Sequence, residues 1–301
     1  MTLANDTRGA VYVEFLLAFI PVFILFLGML QAALLYGANL VVSHAATTAV
    51  RSAVVVLPDD PRHYGDEPVN AIDFTGTGGA TGDAVSIFLE GVGIGGGAPP
   101  AAGSTGGKRL GAIRSAAAIP LLAVSPSFEQ LVGDPTVYTA VGGNPGSRAA
   151  TGAALYNRAG LAVTFPDRPG ARSFRTRFGS DDDVTVRVTY LFHCGVPLAS
   201  WYMCDDYLSL RTGVPRAALQ DLARRSASGT ATPDEMAALV RRVRLSRERL
   251  GRARPGMDEL AQAEAPWLGY LTALTGSRFV VLRAEATMRN QGADYPYRGD
   301  I

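Results

Sequence analysis

Hydrophobic and polar positions divide this chain into two unlike parts. From Phe15 to Val42, 28 consecutive residues carry no charge, and Glu14 is the only charged residue from Val11 to Val42. A membrane-crossing helix needs about 20 apolar residues, so the pattern predicts one span. Between Gly37 and Pro58 there is no glycine, and between Pro21 and Pro58 no proline, so the helix is expected to continue to residue 57. A helix over residues 10–57 would be about 70 Å long at 1.5 Å per residue, more than twice a ~30 Å hydrocarbon core. Its second half must therefore carry or pack against a folded domain. Pro21 predicts a kink in the membrane half.

Beyond residue 57 the period changes. VTVRVTYLF (184–192) alternates, with Val184, Val186, Val188, Tyr190 and Phe192 on one face and Thr185, Arg187 and Thr189 on the other. This is the pattern of an antiparallel strand with one face on a core and one towards water. LAVTF (161–165) and RFVVLRAEATMR (278–289) read as two further strands. KRLGAIRSAAAI (108–119) reads as a helix ending before Pro120. Pro215-RAALQDLARRSA and Thr232-PDEMAALVRRVRLSRERL read as helices inserted between the last two strands, the second with Thr232 as N-cap and Pro233 at the first helical position. Residues 58–107 are loop-rich, with Gly, Pro and Asp around the apolar stretch AVSIFLE. The expected class is α+β: a long N-terminal transmembrane and stalk helix, then a domain with a small antiparallel sheet and a helical insertion.

Charge adds a direction. Arg8 precedes the span and the next basic residue is Arg51, so the positive-inside tendency keeps the N-terminus cytoplasmic and the domain outside. The net charge of +1 creates no global field for nucleic acid. Positive charge is concentrated in the Arg-rich segment 211–256, where residues 211–254 hold 11 arginines against 4 acidic residues. Such helices suit anionic headgroups, a surface polymer or an acidic partner, or are simply a solvated face. They lack the interleaved aromatics of a nucleic-acid surface.

The N-terminal eight residues, MTLANDTR, hold one Arg and one Asp, and the apolar run far exceeds the 7–15 residues of a secretory signal core. That leaves an uncleaved anchor or a different kind of leader. The short polar stretch ending in Arg8-Gly9, the small Ala10, Glu14 as the fifth residue after the glycine, and an immediate apolar helix containing Pro21 decide the reading. Together they resemble type IV pilin-like precursors, and most closely the TadE-like pseudopilins of tight-adherence (Tad/Flp) pilus systems. The stretches around 183–198, 278–297 and 108–127 are loosely similar to the outer domains of that family.

The resemblance implies that a prepilin peptidase cuts between Gly9 and Ala10 on the cytoplasmic side. Residues 1–9 would be the leader, 10–57 the transmembrane and stalk helix, and 58–301 an extracytoplasmic domain. The new ammonium at Ala10 would then lie one helical turn from the Glu14 carboxylate, which neutralises it within one subunit or between neighbours. Phe15 stands where the major Flp pilin has tyrosine, and the chain is far bulkier, which points to a minor component. Implied partners are the peptidase, other pilin-like subunits, inner-membrane Tad assembly proteins and the membrane itself, with no nucleic acid and no cofactor. A second reading is an unprocessed single-pass anchor carrying an extracytoplasmic binding domain.

Cys194 and Cys204 flank GVPLASWYM. Outside the cytoplasm a short loop between two cysteines favours a disulfide, worth about 2–3 kcal/mol on the loop-entropy model. Free thiols, or zinc held by His193, Cys194, Cys204 and Asp205, are the alternatives. Gly91-Val-Gly93-Ile-Gly95-Gly96 lacks the preceding strand of a dinucleotide site, and Gly106-Gly107-Lys108-Arg109 has Arg109 where a phosphate loop needs Ser or Thr. Asp181-Asp182-Asp183 reads as a polar turn rather than a calcium loop. No catalytic constellation emerges, and the expectation is a structural protein, not an enzyme.

Overall fold

The computed structural model describes residues 8–74, 107–127, 129–130, 145–171, 173–212 and 277–290, with isolated positions between 221 and 241. The Gly-rich stretch 76–106 and most of the Arg-rich segment lie outside the described residues. Within the latter, positions 221, 225, 234, 237, 238 and 241 are helical, and Arg225 pairs with Asp221 one turn away.

Helix α1 runs without a break from Arg8 to Val56, through Pro21. Its second half is the spine of the folded body. Ala38, Val42, Ala45, Ala46, Ala49, Val50, Ala53 and Val56 are buried and recur every three or four residues. Most are alanines, so neighbouring elements approach the helix axis closely. Two elements use that approach: helix α2 (Lys108–Leu121) and the sheet.

The sheet has four antiparallel strands, β1 (Leu161–Thr164), β2 (Asp183–His193), β3 (Asp205–Asp206) and β4 (Arg278–Arg289), in the order β1-β2-β4-β3. Val186 pairs with Ala286, Val188 with Ala284 and Tyr190 with Leu282, and this face joins the α1 stripe in one apolar cluster. Helix α3 (Pro145–Gly160) leads directly into β1. Short helices α4 (Ala199–Met203) and α5 (Tyr207–Thr212) lie between β2 and β4.

Two expectations need correction. The polar face of β2 is not open to water: Thr185, Arg187 and Thr189 are buried. The cause is cross-strand pairing on that face. The Thr185 and Thr287 hydroxyls lie 3.0 Å apart, and Arg187 Nε donates to Glu285 at 2.7 Å. The loop after β1 closes over them. Arg187 also donates to the Ala171 carbonyl at 2.5 Å, and the Gly170 N–H donates to Glu285 at 2.8 Å. A satisfied polar layer can be buried where isolated polar groups cannot.

The second correction concerns α2, which does not stop before Pro120 but carries it in its last turn. Proline there leaves the Ala116 carbonyl without its helical N–H partner. The Thr48 hydroxyl of α1 lies 3.2 Å from that carbonyl, sharing its proton with the Ala45 carbonyl at 2.9 Å. The neighbouring helix thus supplies what proline removes.

Arg109 is fully buried at the C-terminal end of α1. Its guanidinium donates to the carbonyls of Val56, Leu57, Asp59 and Glu67 and stacks 4.5 Å over the Tyr64 ring. A cation at a helix C-terminus also meets the negative end of the dipole. The Glu67 carboxylate accepts from the N–H groups of Lys108 and Arg109, capping α2. A Cβ at Gly107 would sit 2.5 Å from that carboxylate, so a larger residue would push Glu67 off its capping position. The described part of that run, Gly107–Arg109, is thus a helix start, and Gly107 leaves room for a carboxylate instead of a phosphate.

Candidate functional site

The first half of α1 projects from the body. Every described side chain from Tyr12 to Phe26 is exposed, and Tyr12–Val56 is long and apolar enough to cross a membrane. Gly9 and Ala10 lie in the first turn, and Glu14, also exposed, follows one turn later. Phe15, Phe19 and Phe23 stack in an i, i+4 ladder with centroids 5.4 and 5.5 Å apart. None of the described residues of the body covers this surface, so its apolar side chains need lipid or other helices.

Where α1 enters the body it meets the loop between β2 and β3. Cys194 and Cys204 are joined by a disulfide, which removes both thiolates from the alternative zinc set. Among the described residues no group of His, Cys, Asp and Glu could hold a metal ion. Beside the bridge, burial holds the His193 imidazole down at about 4, with its ring 5.5 Å from Phe279.

Two contacts fasten the loop to α1. The Val196 N–H donates to Gln31 Oε1 at 3.2 Å, and the Tyr202 hydroxyl donates to the Ile24 carbonyl at 3.3 Å. Gln31 is fully buried, and its Nε2 has no partner among the described residues. Tyr202 comes close because residue 28 is glycine: a Cβ there would lie 2.6 Å from the Tyr202 oxygen. Further along, α1 and α2 leave an open apolar groove of about 630 Å³, lined by Leu40, His44, Thr48, Ala116, Ile119 and Pro120 among others.

An exposed apolar helix opening on Gly9-Ala10 and Glu14, and continuing into a domain spine, is the arrangement to compare with known proteins. Residues 9–51 match the model of the TadE-like protein family. The match ends inside α1. No curated protein matches the chain, and no solved structure does. The TadE-like segment therefore contains Gly9, Ala10, Glu14, the phenylalanine ladder, Gly28 and Gln31.

Gly28, Gln31, Tyr202 and Arg109 are site or framing residues that the hydrophobic pattern did not single out. An amide within the apolar run of the TadE-like segment was a visible signal for Gln31. The Gly28–Tyr202 approach had none, because it depends on a loop far away in sequence.

Proposed function

We propose that this protein is a minor pilin-like (pseudopilin) component of a Tad-type pilus or secretion apparatus, anchored by α1 and processed after Gly9. The observation that carries this reading is the coincidence of a TadE-like N-terminal segment with a helix whose first half is uncovered and whose second half is a domain core. Such a helix can pack with other pilin helices while holding its own domain at a fixed height. Glu14 then neutralises the ammonium that processing creates at Ala10. The role is structural, with the peptidase, other pilin-like subunits and inner-membrane Tad proteins as partners. The N-terminus is cytoplasmic, and the domain lies on the far side of the inner membrane.

N-terminal sequencing of the protein from cells carrying the peptidase tests this, with Ala10 as the expected first residue. Gly9→Ala should leave the precursor uncut. Glu14→Ala should permit cutting but leave pilus assembly impaired. An intact N-terminus in those cells would favour the unprocessed anchor instead, and normal pili with Glu14→Ala would remove the charge-pairing role.

A further inference from the structure

The disulfide-closed loop exposes an unusual set of side chains. Leu198 is 51% exposed, Trp201 72% and Tyr202 58%, all within five residues and beside the uncovered part of α1. Leu198 holds φ at +62°, a conformation that leucine rarely adopts, so the backbone is strained where this side chain is presented. The Arg278 guanidinium lies 5.4 Å over the Trp201 ring and donates to the carbonyls of Trp201 and Cys204 at 3.1 and 3.2 Å. Asp205 and Asp206 follow the bridge immediately.

We propose that loop 195–203 is a membrane-seating wedge, with Leu198, Trp201 and Tyr202 in the interface of the leaflet from which α1 emerges and phospholipid as their partner. The inference rests on reading α1 as a membrane span. Tyr202 touches α1 at Ile24 and Gly28, which lie 16 and 20 residues after Arg8. At 1.5 Å per residue these contacts stand about 24–30 Å from Arg8, which matches a ~30 Å hydrocarbon core. Arg8 and the wedge therefore mark its two boundaries.

Tryptophan and tyrosine favour that depth because an apolar ring there keeps a polar edge in contact with headgroups and water. Arg278 stands where it can meet lipid phosphate, and Asp205 and Asp206 require the water side. The uncharged run extends to Val42, but these charges stop the bilayer at the loop. Met29, Leu30, Tyr36 and Leu40, all exposed, then lie above it. The disulfide and the Gln31 and Ile24 contacts hold the three side chains on one edge of the body.

The chain contains two tryptophans, Trp201 and Trp267. Full-length protein carrying Trp267→Phe, reconstituted in vesicles of phosphatidylcholine and phosphatidylglycerol, reports on Trp201 alone. The expected result is a blue-shifted emission that loses most of its intensity with lipid brominated near the glycerol end of the acyl chain. Water-like emission without quenching would overturn the wedge.

A second chain with Trp201→Phe, Trp267→Phe and Phe19→Trp reports on α1 in the same vesicles. Quenching of that probe without quenching of Trp201 sinks the wedge and leaves the span standing. Absence of both sinks the membrane reading and the wedge with it. Photoreactive benzoylphenylalanine in place of Trp201 gives an independent readout in cells: a phospholipid adduct supports the proposal, and adducts to protein alone replace it with a subunit contact.

Discussion

At the residue scale, buried charged and titratable groups outside the span carry sharp consequences. Arg109 satisfies several carbonyls at the end of α1, and hydrogen bonds to charged groups are worth about 1.5–3 kcal/mol each. Arg109→Met should therefore lower stability by roughly 3 kcal/mol or more, read as a lower unfolding midpoint in detergent. Arg109→Lys should rescue little, because an ammonium cannot span the same carbonyls. A midpoint shift within error for the methionine variant would contradict the capping role. His193 makes a pH prediction. Its folded-state value of about 4 lies below the ordinary 6.5, so the native state favours the neutral ring. Stability is then full above 6.5 and lost as pH falls towards 4, by at most roughly 3 kcal/mol at about 1.4 kcal/mol per unit. Glu285 acts in the same direction at lower pH. Burial pushes its carboxyl up, but the Gly170 N–H and the Arg187 guanidinium outweigh burial and hold it below the usual value. Unfolding midpoints measured from pH 7.5 to 4.5 should fall with acidity, and His193→Asn should flatten the upper part of the curve. An unchanged profile in that variant would assign the acid sensitivity elsewhere.

At the element scale, the α1–α2 contact can be tested through one carbonyl. Thr48→Val removes the hydroxyl near the Ala116 carbonyl and should cost about 1 kcal/mol. Pro120→Ala restores the helical N–H to that carbonyl. In the Pro120→Ala background, Thr48→Val should cost less, a coupling on the order of 0.5–1 kcal/mol in a double-mutant cycle. Strict additivity would show that Thr48 serves only the Ala45 carbonyl. This pair also shows what sequence pattern reveals. Alternation made the central strand and β4 legible, and the uninterrupted apolar and small residues did the same for α1. Pro120 was misread because the hydroxyl that compensates the Ala116 carbonyl lies 68 residues from Ala116 in sequence. The polar face of β2 was misread because Thr185, Arg187 and Thr189 look solvent-facing until Thr287 and Glu285 are paired opposite them. Helix α3 went unpredicted because PGSRAATGAALYNRAG is rich in glycine and small residues. Gly9, Ala10 and Glu14 form a local motif visible in the sequence, and all three fall inside the stretch that matches the TadE-like family. The Gln31 and Gly28 contacts were not visible there, because they depend on tertiary approach.

At the scale of the whole molecule, the disulfide bears on the proposed membrane orientation of the body. Disulfides persist in oxidising compartments and are rare where thiols are kept reduced. In the proposed orientation Arg8 and the Cys194–Cys204 bridge lie on opposite sides of the membrane, and the bridge and the charge asymmetry support that proposal from independent physics. The bridge also sets how firmly the loop is held against α1. Replacing both cysteines with serine should lower stability by about 2–3 kcal/mol and release loop 195–203 to proteolysis, while the α1–sheet core stays folded. In intact cells, a maleimide reagent should fail to label the native protein until a reductant is added, and should then label both cysteines. Full labelling without reductant, in cells that process the protein normally, would place the body in a reducing compartment. It would reverse the orientation and leave the positive-inside argument from Arg8 without support. A bridge that forms in cells while the double serine variant keeps its loop protected would preserve the orientation, and would show that Gln31 and Tyr202 alone hold the loop on the helix.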